Sequence, residues 1–286
     1  MKPIAQQTIL ITGSTDGLGK QTALALARQG ATVLLHGRDR QRLETTRQEI
    51  EDATGNTHLE TYLADFTALA EVRSLAETLQ TQHPHLDMLI NNAGIGGGKG
   101  SQARREVSRD GYELRFAVNY LAPFLLTYLL LPCLRHTPPA RIINVSSVGQ
   151  SPLDFGDLML ERHYDPLQAY RQSKLAQVMF TFDLATMLEG EQITVNCLHP
   201  ASLMNTKMVY ESFGYTLSTV EDGVNALMYL ATSPALDNVS GKYFDQQREA
   251  RAHPQAYDLT ARERLRQLSE QLVGLHDEPA AHVQSR

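Results

Sequence analysis

Thr8-Ile9-Leu10-Ile11-Thr12-Gly13-Ser14-Thr15-Asp16-Gly17-Leu18-Gly19 is the stretch that decides how the rest of the chain is read. Its first five residues form a short apolar, β-branched run, the pattern of a buried strand. Glycines follow at 13, 17 and 19, and a helical pattern runs on from Gly17 to Gln29. Glycines at a strand-to-helix turn permit tight backbone geometry and leave no side chain between main chain and a pyrophosphate. The helix N-terminus beyond offers unpaired N–H groups and a positive dipole end to phosphates. Taken alone, the cluster is a weak signal, and a bare structural turn is the competing reading. Its place after the first strand of an alternating chain raises the phosphate-binding reading.

Outward from this turn, strand-like runs at Thr32–His36, His58–Leu63, Met88–Asn91, Arg141–Val145 and Thr194–Leu198 alternate with helical patterns. The helices fall at Arg40–Ala53, Leu69–Gln82, Asp110–His136 and Leu167–Glu189; a further helix, Thr219–Thr232, precedes a strand at Lys242–Asp245. Near-continuous apolar strands separated by helices predict an α/β fold, a doubly wound parallel sheet with helices on both faces. No repeat, linker or composition break divides the chain, so residues 1–286 read as one domain with a core over 8–245. The tail after 248 is charged, with Leu259, Leu265, Leu268 and Leu272 at helical spacing. An amphipathic helix packed on the domain is the favoured reading, and a cover for the cleft or a subunit surface is the alternative.

The bulk numbers exclude some functions. With 286 residues and a net charge of −6, the chain lacks the basic face of an extended nucleic-acid binder. Cys133 and Cys197 lie in apolar surroundings and read as reduced core residues, with no metal-ligand spacing. Met1–Gln7 is short and polar, unlike a targeting segment, and a cytoplasmic location is expected. Phe116–Leu134 is almost continuously apolar and nearly long enough to cross a bilayer. Asn119, Tyr120, Pro123, Thr127 and Pro132 within it favour a helix buried on several sides, with no membrane involved.

Cofactor choice is read at the end of the second strand, His36-Gly37-Arg38. A carboxylate there would bind a ribose 2′-hydroxyl, whereas a cation accommodates a 2′-phosphate. Gly37 leaves room and Arg38 brings charge, so NADP(H) is favoured over NAD(H); the competing reading is a solvated arginine partnered by Asp39. Asp16 in the glycine turn works against the phosphate. Asp65, with Phe66 beside it, is placed to meet an adenine amino group, or to cap the next helix in competition with Thr67. Asn91-Asn92-Ala93-Gly94 closes the fourth strand with small and amide residues suited to close passage by a cofactor.

Tyr170-Arg171-Gln172-Ser173-Lys174 sets a phenol and an ammonium at i and i+4 on one helix face. Reducing a carbonyl needs a proton for the forming alkoxide, and a free tyrosine has a pKa of about 10. A nearby ammonium favours the phenolate, lowering that pKa by about 1–3 units. Alone the pair is common and often decorative. Its company is the strand Arg141–Val145 ending in Ser146-Ser147, where a hydroxyl facing the cleft can hold a carbonyl. Pro123 removes the backbone bond to residue 119, predicting an irregular turn around Asn119 that has room for a water linking Lys174 to solvent.

Together these residues resemble the short-chain dehydrogenase/reductase family, over Thr8 to Phe244: the glycine turn at 12–19, Asn-Asn-Ala-Gly at 91–94, Asn119, Ser147, and Tyr-x-x-x-Lys at 170–174. The resemblance implies a Rossmann fold of about seven strands and a tetrad. Tyr170 would be the acid/base, Ser147 the carbonyl-orienting donor, Lys174 the ribose-binding cation and Asn119 the anchor of a relay water. Gly13 to Gly19, Asp65, Phe66, Asn92, Ala93, Gly94, Pro200 and Thr206 would line the cofactor with Arg38, Tyr170 and Lys174. Asp110-Gly111-Tyr112-Glu113-Leu114-Arg115-Phe116-Ala117-Val118-Asn119 is similar to the branch of retinol dehydrogenases and the WW-domain oxidoreductase. Three departures stand out: a long interval before Tyr170 that makes 150–167 an inserted loop, His199-Pro200-Ala201-Ser202 in place of Pro-Gly, and Thr206 one position late.

The expected activity is NADPH-dependent hydride transfer to an aldehyde or ketone, or back from the alcohol. Alternatives are carbon–carbon double-bond reduction, as in the similar protochlorophyllide reductases, and a dinucleotide-sensing regulator without catalysis. Residues 94–102, 150–167 and 204–216, rich in Met, Tyr and Phe, are expected to build a pocket for a fairly apolar carbonyl or alcohol. The resemblance also implies a homodimer or homotetramer paired through the Asn119 and Tyr170 helices, unless the insertion obstructs it.

Overall fold

The computed structural model describes residues 1–98 and 104–275. β1 (Thr8–Ile11), β2 (Thr32–Gly37), β3 (Leu59–Leu63), β4 (Met88–Asn91), β5 (Ala140–Val145), β6 (Ile193–His199), β7 (Lys242–Asp245) and β8 (Arg248–Glu249) form one sheet. Its order is β3-β2-β1-β4-β5-β6-β7-β8. Pairing is parallel up to β7, with Ile9 opposite both Val33 and Met88. The chain winds outward in opposite directions from the β1–β4 junction. Loops leaving the carboxyl ends of β1 and β4 therefore part there and open a crevice, the usual ligand position in such sheets. β8 adds one strand to the seven expected, pairing antiparallel to β7 with Glu249 opposite Phe244.

Alternation along each strand divides the core into two layers. Leu10, Leu34, Leu89 and Ile142 face α3 (Leu69–Gln82), α5 (Ala122–Arg135) and α6 (Pro166–Met187). Ile9, Ile11, Val33, Leu35, Ile90 and Ile143 face α1 (Gly17–Arg28) and α8 (Val220–Thr232). α2 (Arg40–Thr54) buries only Leu43, Thr46 and Ile50. Cys133 and Cys197 are free and buried in the core.

The long apolar helix departs from expectation at its start. Asp110 is spent elsewhere: its carboxylate accepts the backbone N–H of Leu69 at 3.0 Å and so caps α3. Glu113 instead caps α4 (Leu114–Phe116), accepting from the N–H of Phe116 at 2.7 Å. A π-turn over Ala117–Leu121 follows and leads into α5, the irregularity expected upstream of Pro123. Leu114–Arg135 has the length and mean hydropathy (1.6) to cross a membrane, but 83% of its most apolar window is buried inside the fold. It is a core helix.

α7 (Lys207–Phe213) was not anticipated; none of its residues is buried, and Thr206 caps it. The tail forms α9 (Leu259–Val273), started by Asp258 and ended at Gly274 in the left-handed region. It lies on α6 and the π-turn: Tyr120 bonds Ser269 at 2.7 Å, and Arg266 pairs with Asp183 at 3.2 Å.

Candidate active site

Much of the glycine turn's polar equipment holds the turn itself together. Thr12 Oγ1 accepts the backbone N–H groups of Asn92 and Ala93, each at 3.0 Å. Asn92 Nδ2 donates to the carbonyls of Thr12 (2.9 Å) and Gly13 (3.0 Å). A Cβ on Gly19 would fall onto Gly13 O and Asn92 Nδ2, so this packing requires glycine. Ser14 accepts from the His36 N–H at 2.9 Å and gives both its own donors to the His36 carbonyl. His36 Nδ1 accepts from Gly13 N–H at 3.1 Å, and its Nε2–H donates to Ala64 O at 3.1 Å. Burial pushes this imidazole down to about 4, so it is neutral. Phe66 stacks on it with ring centroids 4.4 Å apart.

The hydroxyl of Ser14, the amide of Asn92 and the ring of Phe66 are committed inside the protein. What these positions can still offer a dinucleotide is backbone. Leu18 is likewise buried, under Gly223. Thr12 and His36, which fasten the turn to β4 and β2, were missed as support residues. The signal available was that each is a polar residue within an otherwise apolar strand.

At the end of β2, a Cβ on Gly37 would meet Thr15 Cγ2 at 2.7 Å, so the room it leaves is filled by the turn. Arg38 is exposed and has no hydrogen bond or ion pair with the described residues. Asp39 is not its partner: Asp39 caps α2 by accepting from Arg42 N–H at 3.0 Å. Asp16 caps α1, and its other oxygen pairs with the Arg42 guanidinium at 3.0 Å. Arg42 thus offsets the acidic residue in the turn. Asp65 caps no helix; it accepts from Thr67 N–H at 3.0 Å and faces Arg109 at 3.4 Å. Thr67 does not cap α3 either, since Ala68 is the capping position.

The residues expected to be reactive converge at the carboxyl ends of β4 and β5. Lys174 Nζ donates to Val145 O and to Gln177 Oε1, both at 2.9 Å, and lies 5.7 Å from the Tyr170 ring centre. Ser147 Oγ accepts from Gly149 N–H at 3.0 Å and is hydrogen-bonded to the Tyr170 hydroxyl. Ser146 is different: buried, its hydroxyl donates to the backbone carbonyl of Lys174 at 2.8 Å. Asn119 Oδ1 accepts from Ile95 N–H (2.8 Å), while its Nδ2 donates to Ile95 O (3.1 Å) and Ser173 Oγ (2.9 Å). Gly94 lies between them; a Cβ there would sit 3.3 Å from Asn119 Oδ1 and 3.7 Å from Lys174 Nζ. Gln177, missed from sequence, sits one turn beyond Lys174 on the same helix face.

The electrostatics correct one expectation. Burial raises the Tyr170 phenol above its ordinary value, and the Ser147 hydrogen bond only partly opposes this. Burial also lowers the Lys174 ammonium to about 7. Within the protein alone, then, burial works against the charged form of both groups.

Thr206 bonds Val209 N–H through its hydroxyl, and its methyl lies 3.2 Å from where a Gly17 Cβ would stand. Pro200 is buried, and it packs beside Gly223. The segment after β6 therefore crosses the glycine turn, and α7 continues over the exit of β4, where Met208 and Ser212 lie against Gly96. Part of the expected pocket wall, residues 99–102, falls outside the described residues.

A parallel sheet split at β1–β4, with a glycine turn on one side and a Ser-Tyr-Lys-Asn cluster on the other, defines a dinucleotide-dependent oxidoreductase. The family model for short chain dehydrogenase matches residues 7–215, and the chain belongs to that family. Retinol dehydrogenase 13 of Mus musculus is 37% identical over 289 residues, covering 95% of this chain and 85% of that protein. An uncharacterized protein from Mycobacterium paratuberculosis superposes with a TM-score of 0.78 at 30% identity, over 95% of this chain and 94% of its own. A short chain dehydrogenase from Shigella flexneri, complexed with NADP, has a TM-score of 0.69 at 27% identity, over 85% and 97%. A 3-ketoacyl-(acyl-carrier-protein) reductase from Brucella melitensis, complexed with NADH, has a TM-score of 0.67 at 26% identity, over 85% and 97%.

Proposed function

We propose that this oxidoreductase uses NADPH to reduce an apolar aldehyde or ketone, and runs the same step backwards on the alcohol. The observation that carries the reading is a buried ammonium, Lys174, with no carboxylate partner among the described residues, beside a Ser147–Tyr170 hydrogen bond. A buried cation needs oxygen ligands. Val145 and Gln177 fill two of its three donor positions, and ribose hydroxyls fit the third. The glycine turn fits the other end of the dinucleotide, with a backbone approach closed to any Cβ at Gly13 and Gly19.

When bound, the cofactor supplies the hydride. Ser147 Oγ then holds the substrate oxygen and Tyr170 Oη gives it a proton, with Lys174 holding the ribose beside them. A water at the π-turn beside Asn119 would return that proton from solvent. The preference for NADPH rests on Arg38, exposed and unengaged while Asp39 is committed to its cap, with Arg42 drawing off the charge of Asp16. The two neighbours solved with NADP and with NADH do not discriminate. The retinol dehydrogenase relatives support an apolar alcohol or aldehyde class, and the reading places the protein in the cytoplasm, acting on a small molecule.

The test is NADPH-dependent turnover of a panel of apolar aldehydes and enones, with wild type, Tyr170→Phe and Arg38→Ala compared. Losing the proton donor should cost a factor of about 10²–10⁴ in turnover while leaving NADPH binding intact. Arg38→Ala should weaken NADPH by about tenfold or more and spare NADH. Unchanged turnover in Tyr170→Phe, or equal losses for both cofactors in Arg38→Ala, sinks the corresponding half of the reading. A saturated ketone as product would assign double-bond reduction instead.

A further inference from the structure

The inserted segment forms no helix or strand over 150–165, ahead of α6, yet it is held along its length. Gln255 grips Leu153 twice, accepting from its N–H at 2.7 Å and donating to its carbonyl at 3.2 Å. Gln172 accepts from Asp154 N–H at 2.9 Å, and the Arg264 guanidinium lies 4.7 Å over the Phe155 ring. Arg105 Nε donates to Met159 O at 2.8 Å.

At the far end the holding group is buried. Arg115, 5% exposed, donates from Nη1 to Tyr164 Oη at 2.7 Å and from Nε to Gly96 O at 3.1 Å. Tyr164 Oη in turn donates to Glu113 Oε1 at 3.3 Å, so one hydroxyl uses both its accepting and its donating capacity. Glu113 is 1% exposed and lies 3.5 Å from the guanidinium, while its other oxygen caps α4. Burial and the Glu113 carboxylate push the Tyr164 phenol up to about 12, so it keeps its proton.

This cluster ties both rims of the cleft together. Asn119 grips Ile95, Arg115 one turn earlier on the same helix grips Gly96, and a Cβ on Gly97 would stand 3.3 Å from Leu167. We propose that Arg115 and Tyr164 are positioning residues that clasp the insertion against the β4 exit, making it a fixed wall that sets the size of carbonyl substrate admitted. Neither side chain touches the reacting atoms. The substrate half of this inference rests on the proposed reductase activity; the clasp itself does not.

Tyr164→Phe keeps the ring and removes only the hydroxyl; Arg115→Gln removes the guanidinium but strands the buried Glu113 carboxylate, so the tyrosine variant is decisive. Two readouts are needed. Amide exchange in peptides spanning 155–165, or tryptic cleavage after the exposed Arg162, should accelerate by about tenfold or more, with peptides of α2 unchanged. The KM for a small aldehyde, and the Kd for NADPH, should stay within about twofold while selectivity between small and bulky aldehydes shifts by about tenfold. Unchanged exchange overturns the clasp. Faster exchange with unchanged size selectivity overturns the role in specificity. If no aldehyde is turned over by wild type, the reductase reading fails while the exchange measurement still decides the clasp.

Discussion

The two sides of the cleft are built by opposite strategies. On the dinucleotide side, residues 12–19 and 91–94 interlock through short side chains and backbone. On the substrate side, single long side chains reach across from distant segments: Gln255 to Leu153, Arg264 to Phe155, Arg115 to Tyr164. The first arrangement is close-packed and tolerates little. The second is a set of separate struts, each of which can be removed alone.

That difference predicts unequal responses to substitution. On the dinucleotide side the largest effect should come from Gly19→Ala, whose methyl has nowhere to go between Gly13 O and Asn92 Nδ2. Overpacking against backbone should cost about 3 kcal/mol and abolish NADPH binding, read by urea denaturation and a fluorescence titration. A stable, fully binding variant would show that the turn is as forgiving as the opposite wall.

His36 supplies a second, smaller test of the same interlock. Its folded pKa of about 4 lies below the ordinary 6.5, so between these values the unfolded chain binds more protons. The stability it gives as a neutral ring is fully present above pH 6.5 and is lost as the pH falls toward 4. Between pH 7 and pH 5 the loss should be about 2 kcal/mol by denaturant unfolding, and His36→Asn should remove that much of the slope. An identical slope in the variant would mean that the imidazole is not clamped neutral between Gly13 and Ala64.

The same contrast explains what sequence reading could reach. The strands, the glycine turn and the spacing of Tyr170 and Lys174 are short-range patterns, so their placement followed from periodicity and from i, i+4 geometry. Even the π-turn followed from one proline. At Ser14, Asn92 and Phe66 a motif marks a neighbourhood only, and the direction each side chain takes depends on β2, which only the folded sheet brings alongside. α7 and β8 are short and carry no period. The struts of the substrate wall join residues separated by about 50–110 positions, and no local pattern announces such pairs. Likewise, burial weakened the charge of Lys174, which spacing alone does not report.

The smallest expected effect lies on the substrate side, and it separates the two designs most cleanly. Gln255→Ala removes both bonds to Leu153 and leaves the rest of the wall in place. Each lost bond is worth about 1 kcal/mol, and water can reach this partly buried site to replace part of it. The Leu153 amide should therefore exchange faster by up to about tenfold, while global stability falls by only about 1 kcal/mol. NADPH affinity should not move, because no strut of this wall carries the glycine turn. A large global loss, or a drop in NADPH affinity, would mean that wall and turn unfold as one unit.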